Sequence, residues 1–166
     1  MWSSIIAVLG TLAGVALASA TQLLTERRTR ADRQRQEVAG AVHQLLDAVL
    51  AYREQYWMMI ADRRQGRQES REDRAALNRA RTGGTRAGDG LALATADPTL
   101  SAAANAAAWS AIELDDIPLG QVTDCRFAED VEAALAAGRE RSRDAPTALR
   151  EAAAAYIHQL QGARRD

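Results

Sequence analysis

Residues 38–60 read VAGAVHQLLDAVLAYREQYWMMI, and the spacing of their apolar members decides the fold. Val38, Val42, Leu45, Val49, Tyr52, Tyr56 and Met59 follow one another in steps of 4, 3, 4, 3, 4 and 3. An α-helix puts such a series on one side, whereas a strand would scatter it over two. Leu46, Leu50, Trp57 and Ile60 widen the stripe. That width suits a globular helical bundle better than the narrow seam of a two-stranded coiled coil. Tyr52, Tyr56, Trp57, Met58 and Met59 could also outline a ligand pocket. Aromatic and methionine stripes at helical spacing more commonly bury themselves, so these residues are assigned to the core.

The same periodicity recurs downstream. After a turn at Gly66, Leu77, Ala80, Gly84, Ala87, Leu91 and Ala94 keep a 3-4-3-4-3 phase through the glycine-rich stretch 82–90. This predicts a weak helix, frayed at Gly83–Gly84, whose thin face lies close to a neighbour; a flexible loop is the alternative. Asp97-Pro98 reads as an N-cap followed by proline at the first helical position. The helix it opens should run to about Leu114, with Trp109 and Ile112 as its large apolar residues, and end at residues 115–120. A last helix should start near Val122 and carry Val131, Leu135, Leu149, Tyr156 and Leu160 inward. Its phase survives Pro146, which predicts one long bent helix rather than a new helix capped by Asp144. No segment alternates with period two. The fold class is all-α, with the first and last long helices packed on each other.

Working back from residue 38, a basic stretch comes first. Arg27, Arg28, Arg30, Arg33 and Arg35 follow a run, Ile5 to Leu24, that carries no charge. About 20 apolar helical residues cross a bilayer, and a basic flank tends to stay in the cytoplasm. Residues 1–24 therefore read as a single transmembrane helix with its N-terminus outside. Residues 25–37 read as a basic juxtamembrane helix facing lipid head groups, and 38–166 as a cytoplasmic bundle. Ala18-Ser19-Ala20 would fit a signal-peptide cleavage site, but no positive n-region precedes it and the arginine run resists translocation. Gly10, Gly14 and Ala18 share a helix face and would let two membrane helices approach closely.

Composition excludes much chemistry. The chain has 21 arginines and no lysine, which removes the P-loop lysine and Schiff-base catalysis. A lone Cys125 forms no internal disulfide and suits a reducing compartment. His43 and His158 are too few and too far apart in sequence for a metal site, so neither metal nor cofactor is expected. The acid clusters Asp115-Asp116 and Glu129, Asp130, Glu132 suit helix ends better than acid–base work. The expectation is a protein that is not an enzyme. Charge is segregated: 25–86 is net +5, 87–134 net −8 and 135–166 net +2. That favours packing of one segment on another, self-association, or an anionic partner. Arg63, Arg64, Arg67 and Arg71 are the candidates for contact with a partner or with nucleic acid, although no nucleic-acid-binding motif accompanies them.

An opening Met1-Trp2-Ser3-Ser4-Ile5-Ile6-Ala7-Val8-Leu9-Gly10-Thr11-Leu12, the arginine-rich helix after it, Leu91-Ala92-Leu93-Ala94 before Asp97-Pro98, and an alanine-rich last helix form a familiar layout. It resembles the KilB-like proteins, membrane-associated spread proteins of Streptomyces conjugative plasmids. The resemblance implies a part in plasmid spread, with plasmid-transfer proteins as partners, and transfers no functional residue. Together these observations predict a non-enzymatic, membrane-anchored helical scaffold that self-associates. A membrane-tethered DNA-binding module using Arg63 to Arg86, or a toxin-like or immunity membrane protein, are the rival functions.

Overall fold

A computed structural model describes the backbone of residues 2–162; the side chains of residues 1–18, 20, 21, 23, 24, 27 and 28 are outside the description. Four helices follow in order: α1 (Trp2–Arg64), α2 (Arg71–Ala94), α3 (Pro98–Ile112) and α4 (Glu129–Gly162). A short 3-10 turn, Glu113–Asp116, extends α3. Residues 1–36 and 37–166 form two separate compact units. Among the described residues no helix is long and apolar enough to cross a membrane. The span assigned above to residues 1–24, and the Gly10, Gly14, Ala18 face within it, rest on side chains outside the described residues.

The larger unit is an up-down-up-down bundle. Val38, Val42, Leu45, Val49 and Tyr52 of α1 form one cluster with Leu91 of α2, Leu100, Ala104, Ala107 and Ala111 of α3, and Leu149 and Ala153 of α4. Tyr56 and Ile60 continue the stripe into a second cluster with Leu114, Phe127, Val131 and Leu135. Each fully buried leucine contributes about 1.5–3 kcal/mol of transfer free energy, which is what holds the four stripes together. Tyr156 and Leu160 stay half-buried at the end of α4.

Local chemistry sets the joints. Gly66, at φ 72°, ends α1: its N–H donates to Arg63 O and the Arg67 N–H to Asp62 O, a Schellman closure in which only glycine takes the left-handed backbone without cost. Ser70 and Asp73 then start α2 with a reciprocal capping box. Asp97 caps α3 through the Leu100 N–H at 2.7 Å.

Two expectations change, in α2 and at the start of α4. α2 is unbroken through Gly83–Gly84, and a Cβ placed on Gly84 would meet nothing within 4 Å, so close approach is not why glycine stands there. The one tight helix contact at a described glycine is at Gly138, where a Cβ would lie 2.7 Å from Leu114 Cδ2. α4 starts at Glu129, not near Val122, because Asp124 and Cys125 both take positive φ (49° and 60°) in a turn closed by two Thr123–Arg126 backbone hydrogen bonds. Two consecutive left-handed residues cannot belong to a right-handed helix. Buried Phe127 pins this loop to the bundle. At Pro146 the helix continues without a break. Proline brings no N–H to the Ser142 carbonyl, while the fully buried Ser142 hydroxyl donates to Arg139 O at 3.1 Å.

Candidate functional site

Beside the buried stripe of α1 lies a flank at 46, 50, 53, 57 and 64: Leu46, Leu50, Arg53, Trp57 and Arg64. Because α4 runs antiparallel to α1, its flank at 132, 139, 143 and 150 (Glu132, Arg139, Arg143 and Arg150) borders the same groove. The pairings fix the register. Arg64 Nη2 donates to Glu132 Oε2 at 2.5 Å, at one end. The Arg139 guanidinium stacks 4.5 Å from the Trp57 ring centre. Further along, Arg53 and Leu50 share a concavity with Pro146 and Arg150.

This groove is rich in hydrogen-bond donors. The Nε of Arg53, Nε1 of Trp57 and Nε of Arg64 are buried, and none has an acceptor among the described residues. Burial, and then the charges of Arg143 and Arg139, push the Arg53 guanidinium below its ordinary pKa. Glu132, one of three carboxylates on the groove's walls with Glu140 and Asp47, is engaged already: its oxygens accept from Arg64 and from the Phe127 N–H at 3.1 Å. Glu140 lies 3.9 Å from Arg143, and Asp47 lies 3.4 Å from His43. Both of these pairs are solvent-exposed and therefore weak.

The arginines singled out in the sequence are placed differently. Arg63 lies 3.8 Å from Glu69, which also accepts from Arg74 at 3.3 Å, and Arg67 is ion-paired with Asp62. Asp62, Arg63, Arg67 and Glu69 line a concavity with Met58, Met59 and Leu77 where α1 ends and α2 begins. Arg64 turns into the α1–α4 groove, and Arg71 is exposed in the first turn of α2. The four are not brought together. Of the juxtamembrane set, Arg30 and Arg33 are exposed and Arg35 bonds Asp32 at 2.9 Å, while the side chains of Arg27 and Arg28 are outside the described residues.

Inside the bundle, Tyr52 and Tyr56 bury hydroxyls that have no hydrogen-bond partner among the described residues. Both phenols are pushed up to about 12, chiefly by burial and then by Asp115. Of the aromatic and methionine cluster, the tyrosines do pack inward, Trp57 is half-buried, and Met58 is exposed. His43 and His158 are both exposed, and no group of three or more metal-capable side chains occurs among the described residues.

The family model of the KilB plasmid transfer protein matches residues 39–157, most of the bundle and all of the α1–α4 groove. The chain belongs to the KilB plasmid transfer protein family. No curated protein and no solved structure gives a significant match to it. For this KilB-family chain, membership ties the helical bundle to plasmid transfer. The matched stretch begins after Arg27–Arg35 and after Gly10, Gly14 and Ala18, so those residues lie outside it.

The groove went unread in the sequence for a simple reason. Arg139, Arg143 and Arg150 share one flank by spacing alone, as do Arg53, Trp57 and Arg64. Their assembly into one basic wall pair depends on the α1–α4 register, which spacing within a single helix does not carry.

Proposed function

We propose that this chain is a non-enzymatic scaffold of the plasmid-transfer machinery, held at the membrane by residues 1–24, with its bundle in the cytoplasm. The single observation that carries the role in transfer is the family match across the bundle, residues 39–157. The membrane assignment is supported by the uncharged run to Leu24 and the five arginines after it, which favour a cytoplasmic flank. The spacing of the small residues Gly10, Gly14 and Ala18 in the sequence supports self-association in the membrane. In this reading the bundle offers surfaces to other transfer proteins and carries out no chemistry of its own.

The experiment is a deletion of residues 2–24 in a plasmid that carries the gene, scored for spread through recipient mycelium and for the protein's presence in the membrane fraction. The truncated protein should leave the membrane and spread should fail. A cytoplasm-active reporter fused after Asp166 should work on the full chain. Normal spread with the protein wholly in the soluble fraction would overturn the membrane role.

A further inference from the structure

We infer that the groove between α1 and α4 is a docking surface for the phosphodiester backbone of a nucleic acid. The inference goes beyond the scaffold role and does not depend on the membrane anchor.

Three buried donors without acceptors, on Arg53, Trp57 and Arg64, all belong to one flank of α1. Arg139, Arg143 and Arg150 face that flank from α4. Of the carboxylates at the walls, Glu132 is occupied by Arg64 and Phe127, Glu140 lies 3.9 Å from Arg143, and Asp47 lies 3.4 Å from His43. The five guanidinium groups of the two walls outnumber the three carboxylates there, Glu132, Glu140 and Asp47, so a ligand that fits this groove brings acceptors with negative charge. Arg53 and Arg64 are eleven residues apart, as are Arg139 and Arg150, which is about 16 Å along each helix. A single phosphate or carboxylate spans a fraction of that. A nucleic-acid strand offers a charge roughly every 3.4 Å along the axis of a duplex, so about five phosphates match the arginine rows.

Two other polyanions fit less well. Protein–protein interfaces commonly centre on an aromatic or apolar anchor seated in a pocket. In the middle of this groove the Trp57 face is already covered by Arg139, which leaves guanidinium edges rather than an apolar socket. An anionic lipid surface is flat, while the unpaired donors of Arg53 and Trp57 are recessed between two helices. Contacts to phosphate need only charge and N–H groups in a row, which is what the groove supplies.

The test uses the full-length protein in neutral detergent micelles, with fluorescein-labelled DNA as a 30-nucleotide single strand and as a 30-base-pair duplex. Anisotropy should report binding at 50 mM salt that weakens roughly 100-fold by 200 mM, as expected for about four neutralised phosphates. The tighter of the two probes identifies the form of strand the groove takes. Replacing Arg139, Arg143 and Arg150 together with Gln should abolish most of the binding and flatten the salt dependence. These side chains are exposed, and circular dichroism should show the fold retained. Arg143→Glu alone should weaken binding at least tenfold. Replacing Arg63, Arg67 and Arg71 with Gln should leave it unchanged. The inference is overturned if neither probe binds at 50 mM salt, or if the α4 triple variant binds like the parent. It is equally overturned if poly-glutamate displaces DNA at matched anion concentration, or if the α4 arginines matter only for binding to phosphatidylglycerol vesicles.

Discussion

Gly138 and Leu114 touch where α4 crosses the end of α3: a Cβ on Gly138 would sit 2.7 Å from Leu114 Cδ2 and 3.4 Å from Ile117 Cδ1. Leu114 is 1 % exposed and has little room to swing aside. Alanine at a helical glycine gains about 1 kcal/mol of intrinsic helix preference, but overpacking a filled core costs about 1–3 kcal/mol. Gly138→Ala is therefore expected to destabilise the protein by about 1 kcal/mol, and Gly138→Val by more. Urea unfolding of the two variants checks this; a rise in midpoint for Gly138→Ala would show that the α3–α4 contact relaxes freely.

Gly84 makes the opposite case. It is buried, yet open space surrounds the position a Cβ would take. The gap beside it is lined by Val49, Tyr52, Ala80 and Ala111. Gly84→Ala keeps the helix preference without a clash and is expected to stabilise by about 0.5–1 kcal/mol. A lower melting temperature for this variant would mean that α2 packs more tightly on α1 than the structure has it.

These two glycines also show how far the sequence could be read. The phase Leu77, Ala80, Gly84, Leu91 carried a helix across these glycines, though with a fraying at Gly83–Gly84 that the structure does not have, because helical periodicity is a property of one chain segment. Whether a glycine is needed for contact depends on what faces it, and that lies on another helix. The same division holds elsewhere. The inward faces of α1 and α4 were legible from their stripes, as was the Asp97-Pro98 start of α3. The left-handed pair Asp124–Cys125 was not, since Asp only occasionally takes such backbone, Cys125 gives no signal for it, and neither is glycine. Trp109, counted among the large apolar residues of α3, stands 59 % exposed, because Leu100, Ala104, Ala107 and Ala111 already define the buried side. The donor-rich groove needed two helices in register before its residues could be seen together.

Leu45 and Leu50 test the reach of the α1 stripe. Leu45 is fully buried, whereas Leu50, nominally part of the widened stripe, is 59 % exposed. Leu45→Ala is expected to cost about 2–5 kcal/mol, and Leu45→Asp to prevent folding, because it buries a charge without a partner. Leu50→Ala should change stability by less than about 0.5 kcal/mol. Equal losses at the two sites would contradict the orientation of α1 in the bundle.

Tyr52 and Tyr56 make stability depend on pH at the alkaline end. Their phenols titrate near 10 when unfolded and are pushed up to about 12 in the fold, chiefly by burial. Between those values the folded state holds protons that the unfolded state has released. Stability is therefore full below pH 10 and falls as pH rises toward 12. Removing the buried hydroxyls, which lack partners among the described residues, takes away both the desolvation penalty and the titration. Tyr52→Phe and Tyr56→Phe are expected to be neutral or stabilising by about 1 kcal/mol at pH 7, and to reduce the alkaline decline. Thermal melts from pH 7 to 11 check both, and a destabilised Tyr52→Phe at pH 7 would show that its hydroxyl is satisfied in solution.

Glu132 ties three elements at one end of the bundle. One oxygen accepts from Arg64 at the end of α1, and the other accepts from the Phe127 N–H at 3.1 Å, in the loop before α4. Arg64 also lies over the Phe127 ring, 5.8 Å from its centre. A hydrogen bond to a charged group contributes about 1.5–3 kcal/mol where it is shielded, and this site is half-buried, so the lower end applies. Glu132→Ala is expected to cost about 1–2 kcal/mol and to speed amide exchange at Phe127 and through the 123–126 turn. Glu132→Gln keeps the acceptor for Phe127 while losing the ion pair, so it should retain the exchange protection of the loop and lose only part of the stability. Hydrogen exchange followed by mass spectrometry separates the two variants. Equal loss of loop protection in both would place the restraint in the ion pair with Arg64 rather than in the backbone hydrogen bond.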